Sequence, residues 1–440
     1  MAAGLSTSRY STWIGHPGRV FARARAPAVF RLPVDLAAVS TYLDHAATTP
    51  VRPEVADAYA QALQVGGNPS SLHAAGRSAR RVLEESRESI AADLGADPAE
   101  VILTAGGTES DNLAVQGIWR ARAKEGRNGL VTSAVEHHAV LETAEWLASD
   151  AGADLHRIGV DATGVIDTGE LATLLAGRAE QIALISLMWA NNEVGTIQPL
   201  DEVVALAAEH DIPVHSDAVQ AVGQLPIDFA ASGLDALSLS GHKLGAPIGI
   251  GALLARRGVP ITPVQHGGGQ ERSVRSGTLP HASFAALAAA VHAAVTDLET
   301  EARRRSELRD HLIAGVLDRV PGAQLRGAPG QGRLPGNAHF TFTGTDSDAL
   351  LFTLDAAGVC ASSGSACQAG VQQPSHVLLA MGAEEDEARA ALRLTLGWDS
   401  GEEDVDALLA ALPEAVERSR AAFRPSRRRT TTLSSTQEAS

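Results

Sequence analysis

From Val101 onward, short apolar runs alternate with stretches of helical period, and this alternation constrains the fold more than any other feature of the chain. Val101–Thr104 and Ile182–Met188 are apolar at nearly every position, so each asks for cover on both faces, and Leu130–Ser133 reads as a strand between them. Leu155–Ile158, Pro213–His215, Ala236–Leu239 and Ile250–Leu254 read as further strands. Between them Thr108–Lys124, His138–Ser149, Asp167–Ala176 and Leu200–His210 read as helices. This order predicts an α/β fold with a mainly parallel, helix-covered sheet. No 20–50-residue period repeats, which argues against a solenoid. In open sheets of this kind ligands collect at the carboxyl ends of the strands.

At 440 residues and 45% hydrophobic, the chain can bury a large core and is long enough for two domains. The alanine-rich helix Ala285–Thr296 is taken as the bridge between them. The expected division is a large domain at 41–295, whose leading segment 41–60 lies partly in the second, and a small domain at 296–423. The polar tail 424–440 and the extension 1–40 are expected to be disordered. A net charge of −16 argues against direct nucleic-acid binding, and no apolar run of about 20 residues suits a membrane. Two cysteines make no disulfide framework, which points to a reducing compartment and a cytoplasmic location. Residues 1–34 carry five arginines (Arg9, Arg19, Arg23, Arg25 and Arg31) and no acid, as an organellar transit peptide would. A disordered arm or an unused upstream translation start fits them as well, and three prolines argue against one continuous helix.

All but two of the 36 basic residues are arginine. The lysines are Lys124 and Lys243, the latter in Leu237-Ser-Leu-Ser-Gly-His-Lys243. Arginine cannot lose its proton, so a retained lysine suggests a nucleophilic amine able to form a Schiff base. Ser240 and His242 beside it are candidate phosphate donors. Thr104-Ala-Gly-Gly-Thr108-Glu-Ser-Asp-Asn112 follows a strand and opens a helix, so free N–H groups near Gly107 and Thr108 suit a phosphate. In Val214-His-Ser-Asp217-Ala-Val-Gln220 the carboxylate of Asp217 either pairs with a protonated ring nitrogen or caps a helix. Glu136-His137-His138 suggests no metal, because adjacent histidines on a strand point to opposite faces; His137 suits stacking on a flat ring instead. The cysteines lie together in Gly358-Val-Cys360-Ala-Ser-Ser-Gly-Ser-Ala-Cys367. The small, polar surroundings leave Cys367 accessible, whereas Cys360 follows an apolar stretch and is expected in the core.

These segments, taken in order, resemble the pyridoxal-phosphate-dependent cysteine desulfurases of the class V aminotransferase group. The resemblance runs from Tyr42-Leu-Asp-His-Ala-Ala-Thr-Thr-Pro50 to Leu392-Arg393-Leu-Thr-Leu-Gly397. It includes Gly66-Gly-Asn68-Pro-Ser-Ser, Asn191-Asn-Glu-Val-Gly195, His266-Gly-Gly-Gly-Gln-Glu-Arg272 and Arg275-Ser-Gly-Thr278. The setting of Cys367 is similar to the branch with the longer cysteine loop, which serves iron–sulfur cluster assembly and thiolation pathways.

The resemblance implies a fold type I architecture: a mainly parallel seven-stranded sheet in a large domain, plus a smaller α/β domain. It implies pyridoxal 5'-phosphate on Lys243, with His137 over the ring, Asp217 at the ring nitrogen and Gln220 at the ring hydroxyl. Gly107, Thr108, Ser240 and His242 would hold the phosphate, and Thr278 would reach the cofactor of a neighbouring subunit in a homodimer. Asn192 and Arg393 would hold the carboxylate of L-cysteine, with Asn68 assisting. Cys367 would take the sulfur as a persulfide, release alanine and pass the sulfur to an acceptor protein, an iron–sulfur scaffold or a tRNA-thiolation enzyme. Selenocysteine lyase or another class V aminotransferase activity would use the same fold and lysine. Two departures stand out: Gly107 replaces a frequent alanine, expected to be harmless, and Gln368-Ala-Gly-Val-Gln-Gln373 replaces a serine-rich continuation.

Overall fold

A computed structural model describes residues 41–364, 367–368 and 371–423, with residues 367–368 and 371–372 described by their backbone alone. The expectations for residues 1–40 and 424–440 lie outside the described residues.

The chain opens with β1 (Thr41–Tyr42), α1 (Pro53–Ala62) and α2 (Ala74–Asp93). The strands and helices that follow are β2 (Val101–Thr104), α3 (Gly107–Ala123), β3 (Gly129–Ser133), α4 (His138–Ala151) and β4 (Asp154–Ile158). Then come α5 (Thr168–Arg178), β5 (Ile182–Ser186), α6 (Leu200–Ala208), β6 (Val214–Asp217), β7 (Ala236–Ser240) and β8 (Gly251–Ala255). Strands β2–β8 form one seven-stranded sheet in the order β2-β8-β7-β6-β5-β3-β4. The neighbours from β7 through β4 pair in parallel, and β8 runs antiparallel to both β7 and β2. A parallel crossover needs a dozen or more residues, and the link from Ser240 to Gly251 is too short for one.

Both faces of the sheet are covered, as the unbroken apolar runs require. Ile182 and Ile185 of β5 face a core built with α1, α2, α5, α6 and the helix α7 (His281–Thr296). Ala183 and Leu184 face the opposite way, toward α3 and α4. Fully buried side chains such as Ile90, Phe284 and Ile118 each contribute about 1.5–3 kcal/mol of apolar burial. Helices α1 and α2 precede the region where the sequence pattern was read, although Ala79, Leu83 and Ile90 of α2 do recur at helical spacing on its buried face.

At Asp297 the chain turns by 71° into α8 (Leu298–Arg319). A second core follows, built from α8, β9 (Ala323–Arg326), β10 (Asn337–Phe342), α9 (Ser347–Ala356) and β11 (Val359–Cys360). The backbone pair β12 (Cys367–Gln368) and β13 (Val371–Gln372) comes next, then α10 (His376–Ala380) and α11 (Glu385–Ala388). β14 (Ala391–Thr395) and α12 (Glu402–Ala422) complete this core. Strands β14, β10 and β9 form an antiparallel sheet. The leading segment belongs to both regions: β1 pairs with β11 and Leu43 enters the second core, whereas Val55 enters the first. No single described helix is long and apolar enough to cross a membrane.

Candidate active site

Five strands of the large sheet deliver polar side chains from their carboxyl ends into one cavity of about 390 Å³. Gly107 and Thr108 follow β2, His137 follows β3, and Asn192 follows β5. Asp217 ends β6 with Gln220 just beyond it, and Ser240, His242 and Lys243 close β7. Arg393 enters from β14.

The turn after β2 is built for backbone donation. Gly106 has φ +152°, a conformation L side chains rarely adopt, and it turns the chain directly into α3. The backbone is also crowded there: a Cβ on Gly251 would lie 2.7 Å from Gly106 Cα. The first N–H groups of α3 have no acceptor within the helix, so they suit an anion beside Thr108, Ser240 and His242. Gly107 matters beyond its backbone, because a Cβ there would lie 2.7 Å from Val219 Cγ2. Val219 occupies the space an alanine at 107 would need.

The cavity floor holds two buried acids and an imidazole. The Val219 N–H donates to Asp217 Oδ1 at 2.9 Å. Burial raises the Asp217 pKa, opposed by the positive potential of His137 and Lys243. Asp111 on α3 is also buried, and its pKa is held well above the usual range by burial and by Asp217. His137 is not on a strand, as the sequence reading supposed; it is the N-cap of α4, with His138 as the first helical residue. Its Nδ1 accepts the Ala139 N–H at 3.1 Å, so the neutral ring carries its proton on Nε2. Asp111, His137 and Asp217 do offer three atoms within 4.8 Å of one another. Yet a protonated Nε2 is a donor and not a metal ligand, so the trio better receives an acidic N–H and a flat ring. Below it, His215 bonds Ser186 and Ser238 at 2.9 Å each, and burial pushes its pKa down to about 3. Glu136 is buried beside His137 and accepts from Ser133 Oγ at 2.6 Å and from Met188 N–H at 3.0 Å. Burial lifts its pKa to about 8.

Lys243 donates from Nζ to the carbonyls of Ala46 and Ala47, each at 2.6 Å. Burial and the Arg393 guanidinium lower its pKa to about 8, partly offset by Asp44 and Asp217. A free amine is therefore accessible near neutrality, as a carbonyl-capturing lysine requires. Gln220 Nε2 donates to the same Ala46 carbonyl at 3.0 Å, and His242 Nδ1 lies 3.2 Å from Thr48 Oγ1.

Arg393 is buried, with Nη2 on Asp44 Oδ1 at 2.8 Å and Nη1 on the Asn192 carbonyl at 2.9 Å. Among the described residues its Nε has no partner. Asp44 was not singled out from the sequence, although it stands in the Tyr42–Pro50 segment that carries the resemblance. Asp111 and His376 were missed as well. His376 lines the cavity, bonds the Glu136 carbonyl at 3.0 Å and packs against the His138 ring at 4.9 Å between centroids. The signal for Asp111 was its place within Gly107-Thr-Glu-Ser-Asp-Asn112.

Two predicted residues stand apart from the cavity lining. Asn68 and Thr278 are exposed and do not line it, and Asn68 Oδ1 caps its own turn by accepting from Ser70 N–H at 2.9 Å. Cys367 lies in β12, whose backbone pairs with Gln372. Gly364 lines the cavity, and three residues of chain span at most about 11 Å, which bounds how far Cys367 Cα lies from it. Cys360, expected in the core, is instead half-buried at its edge, with its thiol pKa pushed up by burial.

The chain is similar to known proteins. Residues 41–408 match the family Aminotransferase class-V. An IscS-like cysteine desulfurase of Mycobacterium tuberculosis is 55% identical over 383 residues, covering 87% of this chain and 97% of that protein. A solved structure of a NifS-like protein is 34% identical with a TM-score of 0.79, covering 86% of this chain and 99% of that one. The solved structure of SspA in complex with cysteine is also 34% identical, with a TM-score of 0.70, covering 81% of this chain and 99% of that one. With the lysine, the buried aspartate and the arginine placed on one cavity in an α/β fold, the chain belongs to the class V aminotransferase family and, within it, to the cysteine desulfurases.

Proposed function

We propose that this chain removes sulfur from L-cysteine with pyridoxal 5'-phosphate held in the cavity, and that Cys367 receives the sulfur. One observation carries the reading: a lysine with its pKa lowered to about 8, a buried aspartate and a buried arginine face the same space. The residues fit the cofactor. The helix start at Gly107 and Thr108, with Ser240 and His242, suits a phosphate; Asp217 suits a ring N–H and His137 a ring face. When bound, the cofactor supplies an electron sink that acidifies the α-carbon of the amino acid.

The chain's own groups do the rest. Lys243 would hold the cofactor's aldehyde carbon and would move the proton at the substrate α-carbon. Asp217 keeps the ring nitrogen protonated, which favours its own ionised form despite burial. Arg393, fixed by Asp44, turns its free donors toward the substrate carboxylate, beside Asn192. The Cys367 thiolate attacks the substrate sulfur, and the carbon–sulfur bond breaks. A proton replaces the sulfur, alanine leaves, and the enzyme retains a persulfide. A second thiol, on an iron–sulfur scaffold or a thiolation enzyme, then removes the outer sulfur. Asn68 and Thr278 are exposed and do not line this chain's cavity, which favours a homodimer in which each serves the neighbouring site.

Cys367→Ser tests the reading: it should keep the bound cofactor's absorbance while losing both persulfide and alanine release. Persulfide in that variant would move the nucleophile to Cys360 and overturn the assignment.

A further inference from the structure

His45 takes no part in the reaction steps above, yet it stands in the stretch that holds both Lys243 and Arg393. It is buried, and its ring meets a different part of the chain at each nitrogen. Nδ1 bonds the Thr49 hydroxyl. Nε2 lies 3.3 Å from Ser400 Oγ and 3.4 Å from Asp399 Oδ1, in the turn between β14 and α12. An ionised carboxylate only accepts, so Nε2 carries the proton and Nδ1 accepts from Thr49. The ring is therefore neutral, and burial pushes its pKa down to about 4 against the pull of Asp399. Arg305 of α8 and Asp44 also face it.

Each end of this bridge is tied to the site. The Thr49 N–H donates to the His242 carbonyl at 2.9 Å, next to Lys243. Between His45 and Thr49 stand the Ala46 and Ala47 carbonyls that accept from Lys243 Nζ. The Ala46 N–H donates to Thr395 Oγ1 of β14 at 2.9 Å. Ser400 is fixed in turn: its Oγ accepts the Gly397 N–H at 2.9 Å, and its carbonyl accepts from Arg304 Nη1 of α8 at 2.5 Å.

We propose that His45 is a positioning residue for cofactor capture: its ring braces residues 45–49 against the 397–400 turn, so that the Ala46 and Ala47 carbonyls stay closed over the Lys243 amine. The proposal rests on the reading of Lys243 as the lysine that holds the cofactor. Leaving a buried hydrogen-bonding group without its partner is unfavourable, so loss of the ring frees the segment from the turn. Burial is the largest influence on the amine, and water admitted beside it returns its pKa from about 8 toward 10.5. The titratable groups facing that amine are Arg393 of β14, Asp217 of β6, Asp44, His137 and His242, all unchanged in the variants below.

The test uses the full-length enzyme, stripped of cofactor and reloaded, and compares His45→Ala, His45→Asn and Thr49→Val with the parent. The rate of pyridoxal phosphate capture is followed by absorbance across about pH 6 to 10. The captured fraction is read by borohydride reduction and mass. Thr49→Val removes the hydroxyl that Nδ1 holds. His45→Asn keeps an acceptor near Thr49 but is too short for Ser400 and Asp399. In all three the midpoint of the rate curve should rise by about one pH unit, with the captured fraction above it unchanged. A parental midpoint in any variant that folds overturns the proposal, as does a midpoint below the parent's. So does a smaller captured fraction at the parental midpoint, the mark of a residue that only stabilises the fold. Should His45→Ala not fold, the other two decide. Lys243→Ala, run alongside, separates the two claims: cofactor fixed by borohydride there means that the amine was misassigned, whatever His45 does.

Discussion

Arg393 and Asp44 lie 349 residues apart in the chain and meet at 2.8 Å between Nη2 and Oδ1. The contact ties β14 to the leading segment whose Ala46 and Ala47 carbonyls hold Lys243, so Arg393 and Lys243 are set by one short stretch. It occupies Nη2 while the Asn192 carbonyl occupies Nη1, and among the described residues Nε has no acceptor.

Arg393→Lys therefore removes the fork and retains the charge. The Michaelis constant for cysteine should rise about 10- to 100-fold, with a smaller fall in kcat. Steady-state kinetics of alanine release checks this. An unchanged Michaelis constant would show that the carboxylate binds elsewhere.

Gly107→Ala should weaken cofactor retention, because the new methyl displaces Val219 from the wall of the cavity. Overpacking of this kind costs about 1–3 kcal/mol. Val219→Ala in the same chain should restore binding, measured by equilibrium dialysis of the cofactor. An alanine at 107 thus asks for a smaller residue at 219.

The pKa of Lys243 near 8, lowered by burial and by Arg393, sets a pH dependence for cofactor capture. Below about 8 the amine is mostly protonated, so the rate at which cofactor-free enzyme takes up pyridoxal phosphate should climb about tenfold per pH unit and level off above. Replacing Arg393 by methionine removes a neighbouring positive charge, raises the lysine pKa and moves the curve to higher pH. A pH-independent capture rate would contradict the assignment.

Glu136 offers a stability test. Its folded pKa, raised by burial to about 8, lies above the ordinary 4.5, so the folded state keeps a proton that the unfolded chain has lost between those values. The resulting stability is fully present below 4.5 and is lost as pH rises through 8. Glu136→Gln keeps the acceptor for Ser133 and Met188 and cannot ionise. Its Tm advantage over the parent should grow from pH 5 to pH 8 in calorimetric scans.

The alternation of apolar runs with helical periods was enough to predict the seven strands of the large sheet and the helices α3 to α6, because strands buried on both faces must be apolar throughout. Lys243 stood out by rarity and Gly107, Asp217 and Arg393 by motif, and these four do share one cavity. The antiparallel sense of β8 was legible only in loop length, which the strand pattern does not report. His137 lines the cavity but was wrongly placed on a strand, since a histidine N-cap lacks the usual Ser, Thr, Asp or Asn signal.

Local order, periodicity and the choice of candidate groups were thus determined by the sequence alone. Only the tertiary structure decided which groups share a charge or a hydrogen bond: Asp44 with Arg393, Asp111 beside Asp217, Glu193 with Ser375. Burial decided the rest, because the same lysine in water would keep its proton, and desolvation beside a buried arginine is what brings Nζ within reach of neutrality.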